Sequence, residues 1–332
     1  MKKIKVAVNG FGRIGRVFTR FAFENSQIEI VAINDLMDTK TMRHLFKYDS
    51  VHRGFNGDVE ANENHLIING NTIACFSEKE PANLPWAKLG VDIVIESTGH
   101  FLTTETASKH IEAGAKKVII SAPAKSPEIK SVVLGVNDHI LDGTEKIISN
   151  ASCTTNCAAP MVKVLEDNFE IEYCYISTIH SYTGDQKLHD SPHKDLRRAR
   201  AAANSIVPTT TGAAKAITRI FPDLEGKIGG AGIRVPVIDG SLTDITCILK
   251  KETSVEEINS LFKQATESGT LINVLEYITD PVVSSDIISN RHSCIFDPDL
   301  TSVLGKLVKV VGWYDNEAGY SQRLVDLVLK VG

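Results

Sequence analysis

No stretch of this 332-residue chain approaches the run of about eighteen apolar residues that crosses a bilayer, so no membrane span is expected. The opening Met1-Lys2-Lys3-Ile4-Lys5-Val6 has neither the apolar core nor the small-residue cleavage site of a secretory signal, and the expected location is the cytoplasm. The six cysteines (Cys75, Cys153, Cys157, Cys174, Cys247 and Cys294) are then expected as free thiols. Cys153 and Cys157 are separated by three residues rather than two and no second close pair accompanies them, so no metal site is expected. Aromatic residues make up only 6%, the net charge is -5 with both signs interspersed, and no basic stripe is interleaved with aromatics. Nucleic acid is therefore not an expected partner. Repeats, low-complexity segments and an excess of proline or glycine are also missing. What remains is an ordinary globular composition, 42% hydrophobic and 23% charged, on a chain long enough for two cores.

Short apolar runs at 4–9, 29–34, 92–96, 117–121 and 146–149 alternate with helix-period segments such as 13–24 and 104–113, the latter ending at Gly114. Uninterrupted apolar strands between helices predict a parallel sheet buried on both faces. After about residue 150 the texture changes. Longer β-branched segments at 172–180, 227–236 and 241–250 predict an antiparallel sheet, with helices at 154–168, 212–220 and 254–267. The expected fold is α/β: a Rossmann-type doubly wound parallel sheet over 1–151, then an α+β catalytic domain with a mostly antiparallel sheet over 152–318. A C-terminal helix within 319–332 is expected to return to the first domain. Between them, 182–205 is a polar stretch without periodicity, long enough to suggest a functional loop.

Gly10-Phe11-Gly12-Arg13-Ile14-Gly15 stands between the first strand and the first helix. Gly10, Gly12 and Gly15 allow a tight turn, close approach of backbone to a pyrophosphate, and close helix–strand packing, with the helix N-terminus facing the phosphates. Such turns are common, but Asp35 follows Gly15 by twenty residues at the end of the second strand, where a carboxylate accepts the adenosine ribose hydroxyls. Its charge repels a 2′-phosphate and no arginine immediately follows Leu36, so the expected cofactor is NAD.

Ser152-Cys153-Thr154-Thr155-Asn156-Cys157 begins the second domain. A helix starting near Thr154 puts Cys153 at its N-terminus, where the dipole and unpaired amides favour a thiolate and can hold an oxyanion. Cys157, one turn on, and the remaining four cysteines read as small core residues. A thiol nucleophile needs a base. His180, at the end of a strand and the start of the long loop, is one candidate; His189 and His193 are others, and the residues alone do not choose.

Asn9-Gly10-Phe11-Gly12-Arg13-Ile14-Gly15-Arg16, Ser152-Cys153-Thr154-Thr155-Asn156, the segment 195–203, Thr210-Thr211-Gly212-Ala213-Ala214-Lys215 and Trp313-Tyr314-Asp315-Asn316-Glu317 resemble, essentially end to end, the glyceraldehyde-3-phosphate dehydrogenase family. The resemblance implies Cys153 as nucleophile and His180 as its base. It places Thr183 and Arg234 on the substrate's phosphate, Ser152, Thr154, Thr211 and Gly212 around inorganic phosphate, and Arg198 near these anions. Arg13, Ile14, Asp35 and Ser121 match cofactor contacts, Lys79 stands where the family often has arginine, and Asn316 matches the residue that bonds the nicotinamide carboxamide. Pro192 with Leu36 is similar to the NAD-using branch. The implied reaction converts glyceraldehyde 3-phosphate and inorganic phosphate to 1,3-bisphosphoglycerate, through a Cys153 thiohemiacetal and thioester, as NAD is reduced. The long loop is similar to one lining a neighbouring subunit's cofactor pocket, which implies a homotetramer. Gly184 and Ala318 depart from the family's usual residues without removing a donor or the nucleophile. The nearest alternative is erythrose-4-phosphate dehydrogenase, against which the intact 210–215 run argues; aspartate-semialdehyde dehydrogenase, a more distant one, lacks this cofactor and phosphate pattern.

Overall fold

The computed structural model describes residues 3–332; Met1 and Lys2, at the head of the expected first domain, lie outside them. Two compact units are present, Met1–Val132 with His139–Ala151 and Ser321–Gly332, and Val133–Asp138 with Ser152–Tyr320.

In the first unit nine strands of the described residues form one sheet. Its order is β3 (Val59–Ala61), β4 (His65–Ile68), β5 (Asn71–Phe76), β2 (Ile28–Asn34), β1 (Ile4–Asn9), β6 (Ile93–Glu96), β7 (Lys117–Ile120), β9 (Ile147–Ser149), β8 (Lys130–Ser131). The expected apolar runs are β1, β2, β6, β7 and β9, all paired in parallel. Val6, Ala7, Val8, Val94 and Ile95 are fully buried, which is why these strands read as unbroken apolar runs. Residues 35–91 gave no strand signal, yet they hold a helix at Thr39–Lys47 and the antiparallel run β3–β4–β5 at one edge. Strand order reverses between β1 and β6, and this opens a crevice at the carboxyl ends of the strands. The first helix, α1 (Arg13–Ala22), follows β1 directly. The helix Thr104–Glu112 is capped by Thr103, whose side chain accepts the Thr106 amide, and Gly114 just beyond it adopts φ +103°.

The second unit contains an eight-stranded sheet among the described residues. Its path is β11 (Val207–Thr209), β12 (Ile228–Val235), β10 (Ile171–Ser181), β13 (Ser241–Leu249), β17 (Leu307–Tyr314), β15 (Cys294–Phe296), β14 (Leu275–Tyr277), with β16 (Ser302–Leu304) beside β17. Most pairs are antiparallel, as expected, but β10 with β12 and β14 with β15 run parallel. Which pairs run parallel could not be read from the residues, because a period of two is the same in either direction. A helix, α5 (Cys153–Phe169), packs on β10, β13, β15 and β17. Along β10, Cys174, Ile176, Thr178 and His180 are buried while Tyr173 and Tyr175 stand about half exposed on the other face. The polar loop after β10 contains no strand or α-helix until a short 3-10 turn at Ala202–Asn204. No helix of the described residues is long and apolar enough to cross a membrane.

Candidate active site

In the first unit a cleft of about 450 Å³ opens at the β1/β6 reversal, lined by residues that follow four parallel strands: Asn9, Gly10 and Gly12; Asn34, Asp35 and Leu36; Glu78 and Lys79; Ser97, Thr98, His100 and Phe101. Of the expected cofactor residues, Gly10, Gly12, Asp35 and Lys79 line it, whereas Arg13, Ile14, Gly15 and Ser121 do not. The Asp35 carboxylate accepts the amides of Phe11 at 2.6 Å and Met37 at 3.1 Å, which ties the glycine turn to the end of β2. Arg13 is ion-paired with Asp49. Burial alone would raise the Asp49 carboxyl, but Arg13 and the amides of His52 and Val51 outweigh it and hold it at about 2. The N-cap of α1 is Gly12, with no side chain bonding the first turn, an arrangement that lets a helix N-terminus take an anion.

The glycines divide their duties, and the cradle they form fits a dinucleotide. A Cβ on Gly15 would stand 2.2 Å from the Gly10 carbonyl oxygen, whereas one on Gly12 would meet nothing within 4 Å. Gly10 has φ +93° and no room for a side chain beside Ser97 and Thr98. Gly15→Ala is therefore expected to destabilise the ligand-free protein by about 1–3 kcal/mol. Gly12→Ala should leave its melting temperature unchanged and remove most of the stabilisation added by NAD. Thermal unfolding of both variants, with and without NAD, checks this division.

The second unit carries the chemical centre. Ser152 caps α5 by accepting the Thr155 amide at 3.1 Å, so Cys153 is the first residue of the helix. Its Sγ lies 3.4 Å from Nε2 of His180, near the end of β10. His180 and Arg234 are register partners on the parallel pair β10–β12. Arg234 Nη1 contacts His180 Nδ1 and donates to the Ser181 carbonyl at 3.0 Å, while Nδ1 itself lies 2.8 Å from that carbonyl. The parallel pairing thus places a cation directly behind the base. His189 and His193 make no such approach to Cys153, and His193 accepts the Asp195 amide in the loop.

Burial pushes the Cys153 thiol up to about 11, against the downward pull of Arg234 and the Thr154 amide. The expected lowering by the helix N-terminus is thus outweighed by loss of solvent. Burial, and then the Arg234 charge, push His180 down to about 3. A neutral thiol therefore faces a neutral imidazole, and the burial that keeps both neutral opposes charge separation between them until attack begins. Such a pair is armed by proton transfer during attack rather than by a standing charge.

Tyr314, buried at the end of β17, bonds Thr154 Oγ1 and Thr178 Oγ1, each at 2.9 Å, and sets its ring edge-on to His180 at 5.9 Å. It ties α5 to β10 beneath the pair. Asn316 Oδ1 accepts the hydroxyls of Ser181 at 2.9 Å and Ser241 at 2.6 Å, which turns its NH₂ group away from them. Arg198 donates to Thr209 and pairs with Asp185. Its charge reaches Arg234: among the groups acting on Arg234, after burial and the opposing Cys153 and Tyr314, Arg198 pushes its pKa down. Two guanidiniums close enough to repel make a place where an anion is favourable. Thr211 accepts the Ala213 amide at 3.2 Å and Gly212 is the N-cap of the helix Ala213–Ile220, without a side-chain cap bond. Thr183 exchanges hydrogen bonds with Gln186. His180 thus contacts both Cys153 and Arg234, with Ser152 and Thr154 at the same helix end as Cys153. Thr183, Arg198, Thr211 and Gly212 sit in local sets of their own. Tyr314, Ser181 and Ser241 were not marked in the sequence as site residues; their partners are remote in the chain and no local spacing announces them.

A family model described as the glyceraldehyde 3-phosphate dehydrogenase NAD-binding domain matches residues 4–104, and one described as the C-terminal domain of the same enzyme matches residues 152–316. The chain is 57% identical to a glyceraldehyde-3-phosphate dehydrogenase of Thermotoga maritima, over 98% of this chain and 99% of the relative. It is 53% identical to that of Geobacillus stearothermophilus, over 98% of this chain and 97% of the relative. With that of Mycolicibacterium smegmatis it shares 54% identity over 99% of this chain and 98% of the relative.

Proposed function

The chain belongs to the glyceraldehyde-3-phosphate dehydrogenase family, and from that premise we propose that it oxidises glyceraldehyde 3-phosphate to 1,3-bisphosphoglycerate, taking up inorganic phosphate as NAD is reduced. The observation that carries the chemistry is Cys153 Sγ at 3.4 Å from His180 Nε2 at the head of a capped helix, with Arg234 behind the imidazole. His180 takes the thiol proton as Sγ attacks the aldehyde carbon, and the α5 amides stabilise the developing oxyanion of the thiohemiacetal. Bound NAD supplies the hydride acceptor. His180 returns that proton to the oxyanion, takes it again as the thiohemiacetal becomes a thioester, and gives it to Sγ as phosphate attacks the thioester carbonyl and displaces Cys153.

In this reading Arg234 and Thr183 hold the substrate's phosphate, and Ser152, Thr154, Thr211 and Gly212 receive inorganic phosphate with Arg198 nearby. Gly10, Gly12, Asp35 and Lys79 bind the cofactor by lining the cleft. Arg13, Ile14, Gly15 and Ser121 shape the site or offer backbone, and Asn316 presents its NH₂ to the carboxamide. The working division is a cofactor domain over 1–151, completed by 319–332, and a catalytic domain over 152–318. A cytoplasmic homotetramer completes the proposal. Its support in the second unit is the sheet face with half-exposed Tyr173 and Tyr175 and exposed Ile248 and Leu307, together with Leu188 and Leu196 standing out from the long loop.

Absorbance of NADH formed from glyceraldehyde 3-phosphate tests the reading. Sustained turnover that requires inorganic phosphate and prefers NAD to NADP is expected. Turnover indifferent to phosphate, or faster with erythrose 4-phosphate, would move the chain to the alternative reaction.

A further inference from the structure

Beneath the cleft of the first unit lies a polar network that neither the glycine motif nor the chemical centre uses. Glu96 ends β6 with its side chain fully buried. One carboxylate oxygen accepts Asn9 Nδ2 at 2.6 Å and faces His110 Nε2 at 3.0 Å. The other accepts the Thr98 amide at 2.9 Å and the Thr98 hydroxyl. The Trp86 indole N–H, which can only donate, points at His110 Nδ1 from 3.1 Å. Nδ1 must therefore be the lone-pair nitrogen, so Nε2 carries the hydrogen and donates it to Glu96. Every group around the carboxylate is thus a donor, the pattern an ionised acid demands.

The network extends to all four lining segments of the cleft. Asn9 Oδ1 accepts Asn34 Nδ2 at 2.7 Å, and Asn34 in turn accepts the Glu78 amide at 2.9 Å. The Thr98 hydroxyl also accepts the His100 amide at 3.1 Å. Asn9, Asn34, Glu78, Thr98 and His100 all line the cleft, and each traces back to Glu96 through one to three hydrogen bonds. A surface loop would need no such anchor, whereas loops that must hold fixed donors and acceptors toward a ligand do.

We infer that Glu96 is a positioning residue for the cofactor: its buried carboxylate, held by His110, keeps the loops after β1, β2 and β6 in the arrangement that NAD binds. The inference rests on this cleft being the NAD site. Glutamine at 96 keeps the shape, but in either orientation its NH₂ faces two donors. Glutamine at 110 can still donate to Glu96 and accept from Trp86, whereas leucine at 110 can do neither.

The test is the NAD dissociation constant of the full chain by isothermal titration, with thermal unfolding of the ligand-free protein alongside. Glu96→Gln and His110→Leu are expected to weaken NAD by about tenfold, while His110→Gln stays within about twofold of the parent. Asp35→Ala reports on the cleft itself. If Asp35→Ala weakens NAD and folded Glu96→Gln does not, the positioning role is wrong and the cleft stands; if neither does, the cleft reading fails with it. Should Glu96→Gln not fold, the two His110 variants decide: equal NAD affinity in His110→Leu and His110→Gln overturns the inference, whatever their melting temperatures.

Discussion

Cys153→Ser is expected to reduce dehydrogenase turnover by roughly a thousandfold or more while leaving the affinity for NAD unchanged. A serine hydroxyl at the first position of α5 keeps the Ser152 cap and the approach to His180, so the fold is not at issue. What is lost is the sulfur. An alkoxide is far harder to form than a thiolate, and the oxygen ester that would follow is a poorer acyl donor to phosphate than a thioester. The residues that line the cofactor cleft belong to the first unit, Asn316 is held by Ser181 and Ser241, and none of these is altered by the substitution. Stopped turnover with intact NAD titration is the expected pair of results. Retained turnover would mean that Cys153 is not the nucleophile.

His180→Asn is expected to lower kcat by about 10²–10⁴-fold and to change how Cys153 responds to pH. Burial holds the thiol far above its ordinary range, up to about 11, and a group so shifted is overwhelmingly protonated at neutral pH. With the base removed, the thiolate population can grow only as solvent pH rises toward that value. Alkylation of Cys153 by iodoacetamide should then be slow near neutrality and climb steadily through the alkaline range. In the parent, His180, kept neutral by burial and by Arg234, accepts the proton as Sγ attacks. Its alkylation should be faster near neutrality and less steep with pH. Superimposable profiles for the parent and His180→Asn would show that the 3.4 Å contact is not a proton path.

How far the molecule could be read from its residues depended on what each signal encodes. β1, β6 and β7 were legible because strands buried on both faces are uninterrupted apolar runs. In 35–91 the three residues of β3 are too few for a period, and β5 is an edge-region strand with a single buried position, so neither leaves a strand pattern. Direction escapes pattern altogether: the residues predict a mostly antiparallel sheet but not that β10 and β12 pair in parallel, and it is the parallel register that sets Arg234 behind His180. Cys153 could be singled out because a helix start after Ser152 is a local feature. His180 could not be chosen over His189 or His193 on residues alone, and the family resemblance supplied the choice. No local spacing marks the roles of Tyr314, which lies within a run that carries the resemblance, or of Glu96: Tyr314 bonds a threonine 160 residues away, and Glu96 bonds an asparagine 87 residues away. Such partners exist only once the chain has folded.

The most direct test is to look for the covalent intermediate. The protein would be mixed with glyceraldehyde 3-phosphate and NAD in phosphate-free buffer, quenched in acid, and its peptides weighed by mass spectrometry. One 3-phosphoglyceryl group is expected on the peptide that holds Cys153, and it should disappear when inorganic phosphate is added before the quench. An unmodified Cys153 peptide during active turnover, or an acyl group that phosphate does not remove, would contradict the thioester mechanism.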